Sequence, residues 1–209
     1  MRASKRFTNL VFLYGITLFT QARPAIASGV KDEKPNPTRP RSLIDLDVES
    51  IDVELGSSVR MTPLAHTSAA LSGARLGLIL NNSMIVGFQS YALANKIRPD
   101  LNKGQLEFRS FGIVAGGRSI PAGETIKTSF FQIGAGLINA HEKFTEQGRT
   151  YSGTGYYVEP ELGSGIKLLP RWGLDFGAGY RFVSISGTPG YSGSDLTGLF
   201  LSFGTSVWF

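Results

Sequence analysis

The sequence predicts an all-β chain, an eight-stranded antiparallel up-and-down transmembrane β-barrel. Three observations carry this expectation. From Ser57 to Phe209, apolar residues alternate with small or polar ones at period 2, in segments separated by turn residues. Beyond an N-terminal apolar run, no continuous apolar stretch is long enough for a membrane helix. Entry into a bilayer then requires a closed sheet, because only helices and closed barrels satisfy their backbone groups in lipid. The connections also alternate between shorter and longer, as the turns and external loops of such barrels do.

The chain opens with an export signal. Arg2, Lys5 and Arg6 form a basic start, Leu10 to Thr20 an apolar run, and Ala25-Ile26-Ala27 an A-x-A site. This is the layout of a signal peptide over residues 1–27, with cleavage between Ala27 and Ser28. The apolar run is shorter than the ~20 residues that a spanning helix needs. Removing this segment changes the charge argument. The formal charge is +5, and residues 1–27 hold Arg2, Lys5, Arg6 and Arg23 with no acid, so +5 − 4 leaves +1. With no basic stripe interleaved with aromatics, a nucleic-acid partner is not expected. Cysteine is absent, which excludes a disulfide framework, a thiol nucleophile and a cysteine-linked lipid anchor.

Residues 28–56 read as a periplasmic linker and N-terminal segment. Lys31-Asp32-Glu33-Lys34 is a solvated charge run, and Pro35, Pro37 and Pro40 prevent regular structure. Ser42 to Glu54 is acidic and of mixed period, and is placed outside the barrel as a short strand or a turn of helix. The barrel is expected over residues 57–209. Ser57 to Leu64 is a weak first strand. Leu71 to Leu80 turns Ala74, Leu76, Leu78 and Leu80 outward and Arg75 inward, and Asn81-Asn82-Ser83 makes a tight turn. Met84 to Asn95 returns with Gln89 and Tyr91 inward. Gly104 to Gly116 opens with Glu107 and Arg109 opposite Leu106 and Phe108, and its parity then flips, which predicts a bulge near Ser110.

Thr125 to Asn139 places Gln132 inward, and Ala140 to Gly153 reads as a long polar loop. Thr154 to Leu169 carries Glu159, Glu161 and Lys167 inward, and Pro170-Arg171 is a short turn. Trp172 to Ile185 carries Asp175 and Arg181 inward. After a Gly/Ser/Pro loop, the closing strand runs to Phe209. Its apolar face is Leu199, Leu201, Phe203, Val207 and Phe209, and its small polar face has Phe200 and Trp208 as exceptions. External connections fall at about 65–70, 96–103, 140–153 and 186–194. Tyr156, Trp172, Tyr180 and Trp208 suit an aromatic girdle.

The predicted interior holds Arg75, Gln89, Glu107, Arg109, Gln132, Glu159, Glu161, Lys167, Asp175 and Arg181. Acid and base nearly balance. An eight-stranded barrel is only wide enough for side chains to fill it, and buried charges must pair. The cluster therefore reads as a structural plug of ion pairs rather than a pore. Glu159 and Glu161 share one face and could suggest acid–base work, but the nearby cations favour salt bridging. His66 and His141 are the only histidines. Both fall in predicted external loops, near Ser68 and Glu142, and a triad is recognised by geometry rather than by such proximity. No metal-ligand spacing is present, and the glycine clusters lack the lysine–serine of a phosphate loop. Neither a catalytic residue nor a cofactor or metal site is expected.

The stretch Gly73-Ala74-Arg75-Leu76-Gly77-Leu78-Ile79-Leu80-Asn81-Asn82-Ser83-Met84-Ile85-Val86-Gly87, followed by Tyr91-Ala92-Leu93-Ala94-Asn95, resembles a family of uncharacterised small outer-membrane barrel proteins of Gram-negative bacteria. Val158-Glu159-Pro160, Gly179-Tyr180-Arg181-Phe182-Val183 and Ser194-Asp195-Leu196-Thr197-Gly198 are similar to it too. The resemblance spans about residues 57–209, with Ala74 and Leu78 where glycine or an aromatic is more usual. It implies the barrel geometry and the cell outer membrane, and it implies no activity. Phe209 resembles the terminal aromatic that the barrel assembly machinery recognises. The expected partners are outer-membrane lipid, that machinery, and an extracellular partner met by the loops, above all by the loop with Lys143, Glu146, Gln147 and Arg149. A monomer is expected. Two alternatives stand beside this reading: a lipid-modifying enzyme with a rim histidine, and a soluble periplasmic barrel with its apolar faces turned inward around a ligand.

Overall fold

The computed structural model describes residues 48, 50–97, 104–119, 127–144 and 148–209. The cleavage-site residues Ala25, Ala27 and Ser28, the proline-rich linker, Pro121-Ala122-Gly123 (which the sequence reads as a turn), and Glu146 and Gln147 lie outside the described residues. Period-2 alternation produces eight strands: β1 (Ile51–Leu64), β2 (Thr67–Leu80), β3 (Met84–Leu93), β4 (Gln105–Ser119), β5 (Lys127–Phe144), β6 (Arg149–Leu169), β7 (Trp172–Ser186) and β8 (Gly198–Trp208). Each pairs antiparallel with the next, and β1 pairs with β8, so the sheet closes into a barrel with no free edge. Phe209 continues the seam, exchanging backbone hydrogen bonds with Val53 at 3.0 and 3.1 Å. A four-residue helix, α1 (Gly193–Leu196), interrupts the β7–β8 connection.

The apolar faces point out. Leu76, Leu78, Val86, Phe88, Phe111, Ile113, Leu137, Tyr156, Leu162, Phe182, Leu199, Leu201 and Phe203 are all exposed. A soluble barrel folded around an apolar ligand would bury these residues, so the inverted arrangement is overturned. β8 has 11 residues, which at ~3.4 Å each and a tilt of ~40° rise roughly 28 Å, close to the ~25 Å apolar band of a membrane barrel.

Several boundaries differ from the sequence expectation. β1 starts at Ile51 rather than Ser57, because Asp52, Glu54, Gly56, Ser58, Arg60 and Thr62 form one continuous inward face. The β1–β2 connection contracts to Ala65-His66, both left-handed at φ 48° and 63°, which is the signature of a two-residue hairpin turn. β4 has no bulge at Ser110. Its register with β3 and β5 is unbroken, so Leu106 and Phe108 point in, and Glu107 and Arg109 point out. The one register shift in the described ladder lies between Lys167 and Leu169. Residues 140–153 are mostly strand: β5 runs to Phe144 and β6 starts at Arg149, with 18 and 21 residues respectively. The β5–β6 hairpin therefore projects past the apolar band.

Candidate functional site: the filled interior and the outer rim

Strand parity sends the charged residues of five strands toward one axis. In an upper cluster, Arg60 on β1 bonds Glu159 and, at 2.8 Å, Glu161, both on β6. Arg181 on β7 bonds the other oxygen of Glu159. Glu161 also accepts from Gln132 at 2.8 Å and from Ser202 at 2.5 Å. In a lower cluster, Arg75 on β2 bonds Glu54 on β1 and lies 3.8 Å from Asp175 on β7. Arg118 on β4 bonds Asp175 at 2.6 Å, and Ser206 donates to the same carboxylate at 2.8 Å. Gln132 joins the clusters by accepting from Arg75 at 2.7 Å. The guanidiniums of Arg60, Arg75, Arg118 and Arg181 are thus matched by the carboxylates of Glu54, Glu159, Glu161 and Asp175. The space left beside Arg75, Tyr91 and Glu161 is about 30 Å³, room for roughly two water molecules.

Aromatic rings finish the packing. Arg60 lies 3.9 Å from the Tyr91 ring centre and 4.5 Å from that of Phe200, while Arg181 lies between Phe108 and Phe200. Arg118 lies 5.4 Å from Trp208 and 5.7 Å from Phe130. These contacts give the guanidinium faces a favourable partner where no hydrogen-bond acceptor reaches. The rings fit because they lie over glycines. A Cβ on Gly73 would meet the Tyr91 ring at 2.2 Å, and one on Gly179 would meet Phe200 at 2.4 Å. Each of these glycines is the register partner of the ring it receives or lies next to that partner.

Above the charges the interior turns apolar. Leu64, Leu71, Ile97, Leu106, Phe108, Ile138, Tyr157, Tyr191 and Leu196 form one buried cluster at the external end. The β7–β8 connection covers it. Glu142, fully buried, accepts backbone N–H bonds from Gly104 at 3.0 Å and Gly190 at 2.8 Å. The Tyr191 hydroxyl donates to the Gly104 carbonyl at 2.7 Å, and the Ala65 N–H donates to the Asp195 carbonyl at 2.6 Å. Burial, with Glu142 and Asp195 nearby, pushes the Tyr191 phenol up to about 12.

Of the residues predicted inside, Arg75, Gln89, Gln132, Glu159, Glu161, Asp175 and Arg181 lie there, and Lys167 lines the inward face near the opposite mouth, half-buried. Glu107 and Arg109 do not. They face outward above the apolar band, and Glu107 pairs with Lys143 at 2.5 Å. Trp208 points inward onto Arg118 instead of joining a girdle. Glu54, Arg60, Arg118 and Glu142 are interior residues that the sequence reading missed. The alternation of β1 from Asp52 to Thr62 is the signal that could have found the first two. His141 and Glu142 sit on opposite faces of β5, so that pairing does not form. His141 instead holds Ser152 of β6, with Nδ1 2.9 Å from Oγ. Among the described residues, no three His, Asp or Glu side chains are grouped to hold a metal ion.

No protein-family model matches the chain, and no curated protein does. Solved structures do. Neisserial surface protein A superposes with a TM-score of 0.55 at 15% identity, covering 76% of this chain and 97% of that one. The N-terminal β-barrel domain of OprF from Pseudomonas aeruginosa gives 0.52 at 9%, with the same coverages. Ail, the attachment invasion locus protein of Yersinia pestis, in complex with the heparin analogue sucrose octasulfate, gives 0.50 at 12%, again over 76% and 97%. This chain has the fold of the small outer-membrane β-barrels. At these identities the likeness carries the fold alone.

Proposed function

We propose that this outer-membrane β-barrel is a plugged, non-conducting wall element that acts through its external connections in a structural or surface-interaction role. The observation that carries the reading is the interior itself. Two ion-pair clusters joined by Gln132 fill the axis, and an apolar layer lies above them. A conducting pore needs a continuous wet path, and paired buried charges with this little space between them oppose one. The outward apolar wall supports residence in the membrane, and the projecting β5–β6 hairpin supports contact outside it.

Replacing residues 144–149 with a short Gly/Ser turn tests the interaction role. Expressing cells are expected to lose any surface adhesion that the intact chain confers, while the barrel keeps its boiling-dependent gel shift. Adhesion retained in full would remove the hairpin from the role.

A second reading is a lipid-modifying enzyme, and the Ser152–His141 bond at the rim favours it. Glu107, the register partner of His141, is engaged by Lys143, so the acid needed to orient the imidazole is held elsewhere. Under the main reading, His141→Ala leaves the lipid profile of expressing cells unchanged. A lost or altered lipid species would promote the enzyme reading.

A further inference from the structure

The outer wall changes character across one step of register. Ser90, Phe111, Leu137 and Tyr156 sit opposite one another on β3 to β6, and the next pairs toward the external end are Ala92–Arg109, Arg109–Asn139 and Asn139–Thr154. Phe111 is exposed and stacks on Phe88 with ring centres 6.1 Å apart. Arg109 is therefore the first charged side chain met on leaving the apolar band on this side. Beside it the β3–β4 ladder stops at Ala92–Arg109 and resumes only at the Ile97–Leu106 bridge. The parting leaves an open groove of about 280 Å³, lined by Asn95, Lys96, Gln105, Glu107 and Arg109, with Ala92, Leu93 and Ala94 as its apolar side.

Charge is not balanced there. Glu107 is taken by Lys143 at 2.5 Å. Lys96 and Arg109 are exposed, and neither has an ion pair among the described residues. The outward positions of β1, β2, β7 and β8 at this end carry no charged residue. The cations are thus gathered on one side, against the edge of the lipid-facing wall and beside a groove with one apolar side. An occupant has to present an anion directly above an apolar body. That is the build of a membrane amphiphile, and the groove is continuous with the surface that already faces lipid.

We infer that the β3–β4 groove seats the phosphate headgroup of an outer-leaflet lipid, with Arg109 and Lys96 as its cationic contacts. Arg109 suits the task because a guanidinium can offer two parallel N–H donors to one phosphate, with Lys96 as a mobile second charge. Asn139 and Thr154 lie in the same register row and add neutral donors within reach of a sugar-borne headgroup. The inference rests on the membrane reading above.

The test uses the full chain folded into phosphatidylcholine vesicles containing lipid A, extracted into mild detergent, with retained lipid A counted by mass spectrometry. Wild type is expected to retain lipid A. The R109E/K96E variant is expected to retain at least roughly thirtyfold less, since losing about one charge–surface interaction at each of two positions gives that factor before the added repulsion. Lys127→Glu, an outward cation at the opposite end of β5, serves as the control and is expected to retain wild-type amounts. Dephosphorylated lipid A is expected to bind wild type no better than lipid A binds the double variant. Undiminished retention in R109E/K96E, or equal loss in Lys127→Glu, would overturn the site while a normal boiling-dependent gel shift kept the membrane reading intact. Absence of that shift in wild type would overturn the membrane reading, and the site with it.

Discussion

Arg60 shows at the scale of one residue how the interior is held. It is 1% exposed, spans two glutamates and lies against two rings. Desolvating a guanidinium is costly, and the pairing offsets that cost only while both partners remain. Arg60→Ala leaves Glu161 without its cation and opens a gap beside Tyr91 and Phe200. The expected loss is about 3–5 kcal/mol of unfolding free energy, read by urea titration in vesicles. A change near zero would mean that the cluster fills space without contributing pairing. Sequence made this cluster legible except for Arg60 itself. Glu159, Glu161 and Arg181 stand in clean alternation on strands with obvious apolar faces. Arg60 stands in a strand whose outward side includes Ser57 and Pro63, so the contrast that marks a lipid-facing strand is weak there. Glu107 and Arg109 misled in the opposite direction. Charge marks the inward face within the apolar band, but above it the rule inverts, and the inward positions become Leu106 and Phe108.

Single elements show a second rule. The β7–β8 connection is a lid, tied to the barrel by groups from three other strands or connections: Glu142, Gly104 and Ala65. The Tyr191 hydroxyl must keep its proton to donate to Gly104. An unfolded tyrosine loses its proton near pH 10, whereas Tyr191 holds it to about 12. A raised folded value means that the closed lid has its full stability below pH ~10 and loses it as pH rises through about 12. Hydrogen exchange over residues 187–197 should therefore accelerate between pH 10 and 12 beyond the intrinsic rise. In Tyr191→Phe that extra acceleration should vanish, on a lid already looser at neutral pH. Equal pH dependence in both proteins would contradict the assignment. None of this was legible in advance. The segment 186–194 reads as Gly/Ser/Pro loop, and Glu142 reads as loop polar residue, because local composition cannot reveal that β5 continues past Asn139. The Asn81-Asn82 turn was legible, since φ values of 50° and 54° are those asparagine tolerates.

For the whole molecule, fold class was the most legible property. Closure of eight strands follows from period-2 faces and alternating connection lengths, which chain chemistry writes locally. The vertical layering was not legible. Ion pairs fill the middle and lower barrel, and an apolar cap fills the top, because long-range strand stagger decides which inward residues share a level. That layering is also the basis of the proposed role, since each layer by itself opposes water.

Ion flux tests it most directly. The chain is folded into planar phosphatidylcholine bilayers, from samples whose unboiled gel band confirms the folded state, and current is recorded under an applied voltage. No stepwise conductance above the bare bilayer is expected. Because the lower cluster and the apolar cap each oppose water by themselves, Arg60→Ala, which opens the upper cluster alone, is expected to stay at that background. Stable, recurring conductance steps in the unmodified protein would contradict the plug and make the charged axis a pathway.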